Sequence, residues 1–198
     1  MASITQRVVR NARKRGVKVY GRTRWGSVKG HVYAWRRIFR KVKPGPADTV
    51  VQHITVTRRS GDIKSDMRVL EQIGTERFGS GVSYNFAVDM VTGEVGVGQS
   101  LDAKGTHTLN DKGVKGYSFD QNYVARAIAV IGMPGAKLSR QAEWSIISLL
   151  AAMIQEGAIT ETFDYDPHSK FAYKDCPCDE TRDRMPALRE AALRAAKG

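Results

Sequence analysis

TVVQHITVT, residues 49–57, decides how the rest of the chain is read. The run is short, uncharged and rich in β-branched residues. That is the pattern of a strand buried inside a sheet, because branched side chains fill a pleated surface well. It sets one titratable residue, His53, in the middle of the strand. Just before it, Lys43-Pro44-Gly45-Pro46 breaks any regular element, so the sheet is expected to begin here.

Downstream, Ile63, Met67, Leu70 and Ile73 recur at helical spacing up to about Gly74, with Asp62 or Ser65 able to cap the start. Residues 82–90 and 94–101 read as two strands joined by a hairpin turn at Thr92-Gly93. Residues 125–133 read as another strand, ended by Pro134-Gly135. A second amphipathic helix is expected over residues 139–156, with Trp144, Ile147, Leu150, Ala151 and Ile154 along one side and a stop at Gly157. A last helix begins near Pro186. Strands and helices that alternate, with one hairpin among them, predict an α/β fold: a single domain with a central mixed β-sheet flanked by helices.

At 198 residues the chain has room for one domain with a substantial core. Its 41% hydrophobic and 26% charged residues are ordinary globular values, which argues against a fully disordered or membrane-embedded chain. The net charge of +12 is unevenly spread. Residues 1–43 hold 14 Lys and Arg and no acid, whereas the remainder holds 18 basic and 20 acidic residues. Residues 1–19 are expected to form a short helix or a mobile basic arm ahead of a domain spanning 20–198. From 20 to 43, Tyr20, Trp25, Tyr33, Trp35 and Phe39 are interleaved with arginine, as a cationic binding surface or an N-terminal wrap around the domain, or with Trp25 and Trp35 as plain core residues of the domain edge. Such a front end is drawn to polyanions.

No run approaches the roughly 18 apolar residues that span a bilayer, and the N-terminus lacks the apolar stretch of a signal peptide. A soluble protein made in the cytoplasm, with no transmembrane segment, is expected. Cys176 and Cys178 stand too close together for an ordinary disulfide, so a secreted disulfide scaffold is not expected.

Histidines occur at 31, 53, 107 and 168, and HSKFAYKDCP carries His168, Lys174 and Cys176 in sequence. A catalytic zinc site has three protein ligands and keeps one position open, which two histidines and a cysteine satisfy. Each residue alone has a plainer reading. A histidine in an apolar strand is commonly a hydrogen-bonded core group, a cysteine a small hydrophobe, Tyr84 a half-buried strand aromatic and Lys174 a solvated charge. Spacing leaves open whether His107 or His168 is the second imidazole, and whether Cys176 or Cys178 is the thiolate.

Taken together, the pieces resemble the zinc-dependent N-acetylmuramoyl-L-alanine amidases of type 2, the superfamily that includes small phage lysozyme-amidases and peptidoglycan recognition proteins. The resemblance covers about Gly21 to Leu193. It runs in family order through Arg22, Trp25 and Gly26, then VVQHITVT, GSGVSYNFAVDMVTGEVGVGQSL and GTHTLN. Asn122 with its following apolar strand comes next, then a helix ending near Gly157, and last the His168, Lys174 and Cys176-Pro177 segment.

The resemblance implies a phage endolysin that cuts the amide between the lactyl group of N-acetylmuramic acid and L-alanine in bacterial peptidoglycan. It implies Zn2+ held by His53, His168 and Cys176. Tyr84 and Lys174 would be catalytic, and His107 and Asn85 would lie near substrate. Cys178 stands where the family commonly has glycine, and Asn85 where histidine is also frequent. The enzyme would be a monomer kept in the host cytoplasm until it reaches the cell wall. Residues 1–43 would attach to anionic envelope polymers or lipids. A recognition module that holds muropeptides without cutting them, and a nucleic-acid-binding protein, are the competing expectations.

Overall fold

Strand β2 (Ala47–Ile54) realises the opening motif and organises the sheet around itself. It is buried on both faces, as a strand with parallel neighbours on each side must be, and this explains its near-continuous apolar character. The computed structural model describes residues 2–27 and 45–198; the stretch 28–44, with His31, Tyr33, Trp35, Phe39 and Pro44, lies outside the described residues.

The elements follow in the order α1 (Ile4–Lys14), β1 (Val19–Tyr20), α2 (Arg22–Trp25), β2, α3 (Ile63–Phe78), β3 (Phe86–Asp89), β4 (Val95–Val97) and α4 (Gln121–Val124). Then come β5 (Arg126–Ile131), α5 (Arg140–Gln155), β6 (Ile159–Pro167), a 3-10 turn at His168–Lys170, α6 (Asp179–Arg182) and α7 (Met185–Lys197). The six strands lie in the order β1-β4-β3-β5-β2-β6. Among the described residues only β3 and β4, the expected hairpin, run antiparallel, so the sheet is mixed and the predicted class stands. Gly93 takes the left-handed conformation at φ 69 that the tight turn demands.

Helix boundaries follow local chemistry. Asp62 caps α3 by accepting from the amides of Lys64 and Ser65, and Ser139 caps α5 through the amide of Ala142. The main core lies on one face of the sheet, where Val50, Phe86, Val88, Val95, Ile128 and Val130 meet α1, α5 and α7. On the other face Ala87 and Ile131 meet α3 together with Trp25 and Val82. The second face carries the candidate site.

Several expectations need correction. The basic segment 1–19 does not stand apart from the domain. Ser3 and Gln6 form a reciprocal capping box for α1, and Val8, Val9 and Ala12 enter the main core. Trp25 is fully buried and donates its indole N–H to the carbonyl of Val97 at 2.9 Å, so it is core and not a cationic binding surface. On α5 the buried residues are Ile146, Leu149, Leu150 and Met153, while Trp144 is 47% exposed and donates to the carbonyl of Arg15. Strand β6 had no expectation attached to it. Its Glu161, Thr162 and Asp164 face outward at the sheet edge, which blurs the apolar signal of Phe163 and Tyr165.

Candidate metal centre

His53 sits near the end of β2, and its neighbours along the strand are tied down. Gln52 donates its side-chain amide to the carbonyl of His53 at 2.8 Å and accepts from the hydroxyl of Tyr165 on β6. His168 follows directly where β6 ends, opening the 3-10 turn. The loop after it is closed by a backbone bond from Ser169 N–H to the carbonyl of Cys176 at 2.6 Å. Phe171, fully buried against Val51 and Ala125, plugs that loop onto the sheet. Lys170 braces the turn through Asp166 at 2.9 Å and through the hydroxyl of Tyr117.

These restraints bring three donors together. One ligand atom each from His53, His168 and Cys176 lies within 4.8 Å of the other two. Tetrahedral zinc, with bonds of about 2.0–2.1 Å to nitrogen and about 2.3 Å to sulfur, sets its donors roughly 3.3–3.6 Å apart, so the widest pair would close by on the order of 1 Å around an ion. The Sγ of Cys176 also accepts from the amide of Ile54 at 3.4 Å, which fixes the thiol beside the strand that carries His53.

The geometry separates the residues that spacing alone left open. His107 is not in the cluster. Its Nδ1 lies 3.4 Å from Nε2 of His53, within reach of a hydrogen bond whose direction depends on the tautomers of the two rings. Cys178 is buried with its Sγ 3.8 Å from Oγ1 of Thr181, at the start of α6 and away from the donors.

Tyr84 precedes β3 instead of lying within it, and its half-buried ring sits 5.0 Å from that of His53. Asn85 does not face the cleft. Its Oδ1 accepts from the amide of Ala127 at 2.8 Å, and its Nδ2 donates to the carbonyls of Gln99 and Ser100. The expected substrate contact is thus a scaffold staple between β3, β5 and the loop after β4. Sequence reading missed Phe171 and the Asp166–Lys170 pair; a lone apolar residue in a polar loop and opposite charges at i and i+4 were the available signals.

Burial dominates the electrostatics. It holds His53 well below the usual histidine range, helped by His168, His107 and Lys174. His168 is held down to about 4 by burial and then by the charge of Lys174, and His107 to about 3 by burial, His168 and Arg126. All three rings are therefore neutral at pH 7, the form that binds a metal or shares a hydrogen bond. Burial pushes the Cys176 thiol up, against a downward pull from the Ile54 amide and Lys174. Burial also raises Tyr84, so its hydroxyl keeps its proton.

The depressed histidines make the metal-free protein acid-sensitive. Above the ordinary histidine value of 6.5 folded and unfolded chains are both neutral at these rings; as pH falls below it, the unfolded chain takes up protons that the folded rings refuse until about 4 at His168 and about 3 at His107. Each ring then costs on the order of 2 kcal/mol at about pH 5. Urea midpoints of the chelator-treated protein are expected to fall clearly between about pH 7.5 and pH 5. A midpoint that stays level or rises would contradict the buried neutral histidines.

Comparison with known proteins places the fold. No family model matches the sequence, and no curated protein matches it. Solved structures do match, and they define the class of fold: that of the peptidoglycan recognition proteins and of an amidase endolysin. The Drosophila peptidoglycan recognition protein PGRP-SA is 21% identical, with 82% of this chain and 86% of that one covered at a TM-score of 0.66. Human PGRP-IBETAC, solved with glycosamyl muramyl pentapeptide, is 20% identical over 82% of this chain and 90% of its own, at 0.65. The endolysin N-acetylmuramoyl-L-alanine amidase LysCS from Clostridium intestinale URNW is 21% identical over 75% of this chain and 90% of its own, at 0.57. The likeness is one of fold.

Proposed function

We propose that this chain is a zinc-dependent N-acetylmuramoyl-L-alanine amidase of the phage endolysin type, hydrolysing the amide between the lactyl group of N-acetylmuramic acid and L-alanine in peptidoglycan. The observation that carries the reading is the convergence of His53, His168 and Cys176 on one point, on a fold shared with an amidase endolysin. Two imidazoles and a thiolate suit zinc, and three protein ligands leave one position open. When bound there, zinc supplies Lewis-acid polarisation of a coordinated oxygen.

The chain's own residues do the rest. His107 orients His53. The protonated hydroxyl of Tyr84 offers a hydrogen bond beside the donor cluster. Lys174 is exposed, yet its charge is felt at His53, His168 and Cys176. A cation there opposes the negative charge that builds on the scissile carbonyl oxygen, and preorganised stabilisation of this kind is worth about 3–4 kcal/mol. Lys174→Ala is accordingly expected to keep its zinc and lose activity by about 10²–10³-fold. Equal rates for variant and wild type, measured by release of stem peptide, would remove Lys174 from the mechanism.

Digesting purified peptidoglycan tests the reaction itself. Mass spectrometry should find free peptides beginning with L-Ala and intact glycan chains; soluble disaccharides in their place would overturn the amide-bond assignment. The neighbours solved with peptidoglycan fragments favour a second reading, a recognition module that binds muropeptide without cutting it. A protein that binds muropeptide but purifies without stoichiometric zinc would support that reading.

A further inference from the structure

The amidase reading leaves the basic front end unused, and the fold sorts that charge into separate faces of α1. Val8, Val9 and Ala12 enter the core. Arg7, Asn11 and Arg15 reach toward α5 and α7: Arg7 pairs with Glu156 at 3.0 Å, Asn11 donates to Gln155, and Arg15 donates to Gln155 and to the carbonyl of Ala195. Arg10, Arg13 and Lys14 turn to a third, exposed face. There they wall a groove of about 900 Å³ whose far side includes Arg22 and Ser100.

The groove is built for negative charge. Among the described residues no Asp or Glu lines it. Arg13 donates to the carbonyl of Val19, bonds that orient its guanidinium without neutralising it. Arg10 and Lys14 have no carboxylate partner among the described residues. Like charges at i, i+3 and i, i+4 weaken a helix slightly, so helix stability does not account for the pattern. Cations crowded into one concavity concentrate anions there.

We propose that this groove binds a base-free phosphodiester polymer of the polyol phosphate kind carried by bacterial envelopes. Arg10 and Lys14 stand about 6 Å apart along the helix axis, a row of point charges suited to repeating phosphates. Among the described residues the lining contains no aromatic side chain, so they give nucleic-acid bases no surface on which to stack. None of the exposed large hydrophobic side chains lies in residues 2–27, so α1 offers nothing to bury in a lipid interface. The groove shares no lining residue with the donor cluster of His53, His168 and Cys176, so a polymer held there leaves those residues open to peptidoglycan.

The test is titration of the full-length protein with a short fluorescent poly(glycerol phosphate) at several salt concentrations. The double variant Arg10→Ala/Lys14→Ala should bind at least about tenfold more weakly and lose about two from the salt slope. Lys137→Ala/Arg140→Ala removes the same charge from exposed positions elsewhere and should bind as wild type does. The proposal is overturned if both variants weaken alike, if neither weakens, if single-stranded DNA of equal charge binds as tightly and displaces the polymer, or if only anionic lipid vesicles bind. Zinc content and activity of Arg10→Ala/Lys14→Ala on polymer-free peptidoglycan should match wild type, so this outcome and that of the amidase reading are read separately.

Discussion

Cys176→Ser is expected to lose zinc and activity together, while Cys178→Ser keeps both. The two cysteines are chemically alike and two positions apart, yet only Cys176 meets His53 and His168, its sulfur held beside the amide of Ile54. A serine hydroxyl fits the same space but does not ionise near neutral pH, so the cluster falls from three anionic or neutral donors to two. Removing a mere outer partner of a metal ligand commonly weakens affinity 10–100-fold, and removal of a ligand itself should exceed that. Dialysed Cys176→Ser should hold almost no zinc by elemental analysis, against about one ion per chain in wild type. Cys178 is buried beside Thr181, which can partner a serine hydroxyl in its place, so that variant should be destabilised by about 1 kcal/mol and no more. The reverse pattern, zinc lost from Cys178→Ser and retained by Cys176→Ser, would sink the ligand assignment.

The second large effect is mechanical. Gly74 lies in α3 where that helix meets the loop leading to Tyr84. A Cβ there would sit 1.6 Å from the carbonyl oxygen of Gly81 and 2.6 Å from its carbon. Both obstacles are backbone, so no side chain can swing aside. Alanine is the better helix former by about 1 kcal/mol, but overpacking of this kind outweighs that gain, and Gly74→Ala is expected to lose on the order of 3 kcal/mol. For a chain of this size that corresponds to a fall in Tm of roughly 10 °C. Because Gly81 must move, Tyr84 moves with it, and activity should drop even where the variant remains folded. Gly79→Ala is the matched control: nothing lies within 4 Å of its Cβ, and only its φ of 62 opposes the change, at about 1 kcal/mol. A Gly74→Ala protein as stable as wild type would show that the α3 junction is not as tight as its geometry indicates.

Much of the fold was legible because its signals are local. The β-branched run around His53, the caps at Asp62 and Ser139, the turn at Gly93 and the helix after Pro186 each depend on neighbours within a few positions. Strand β6 was missed because an edge strand shows solvent too much of its surface for a clear apolar pattern. Helix α1 was read as a possible arm because its basic residues mask a short apolar stripe, although Val8, Val9 and Ala12 recur at helical spacing and anchor it.

For the site, residue types and order suggested a zinc ligand set, while identity within that set was a matter of distance. His107 and His168 are both histidines beyond the same strand; only the closure of the loop from Ser169 to Cys176, and the plug of Phe171, carries His168 to the donors and leaves His107 outside the cluster. Asn85 looked like a cleft residue until its amide was found bonded to three backbone groups. By itself, then, the sequence determined the strands, the helices, the uneven charge and the kinds of donor available, because propensity, capping and charge act between near neighbours. Only the tertiary structure decided which histidine and which cysteine converge, which arginines are paired and which line the groove, because those outcomes rest on contacts between residues far apart in the chain.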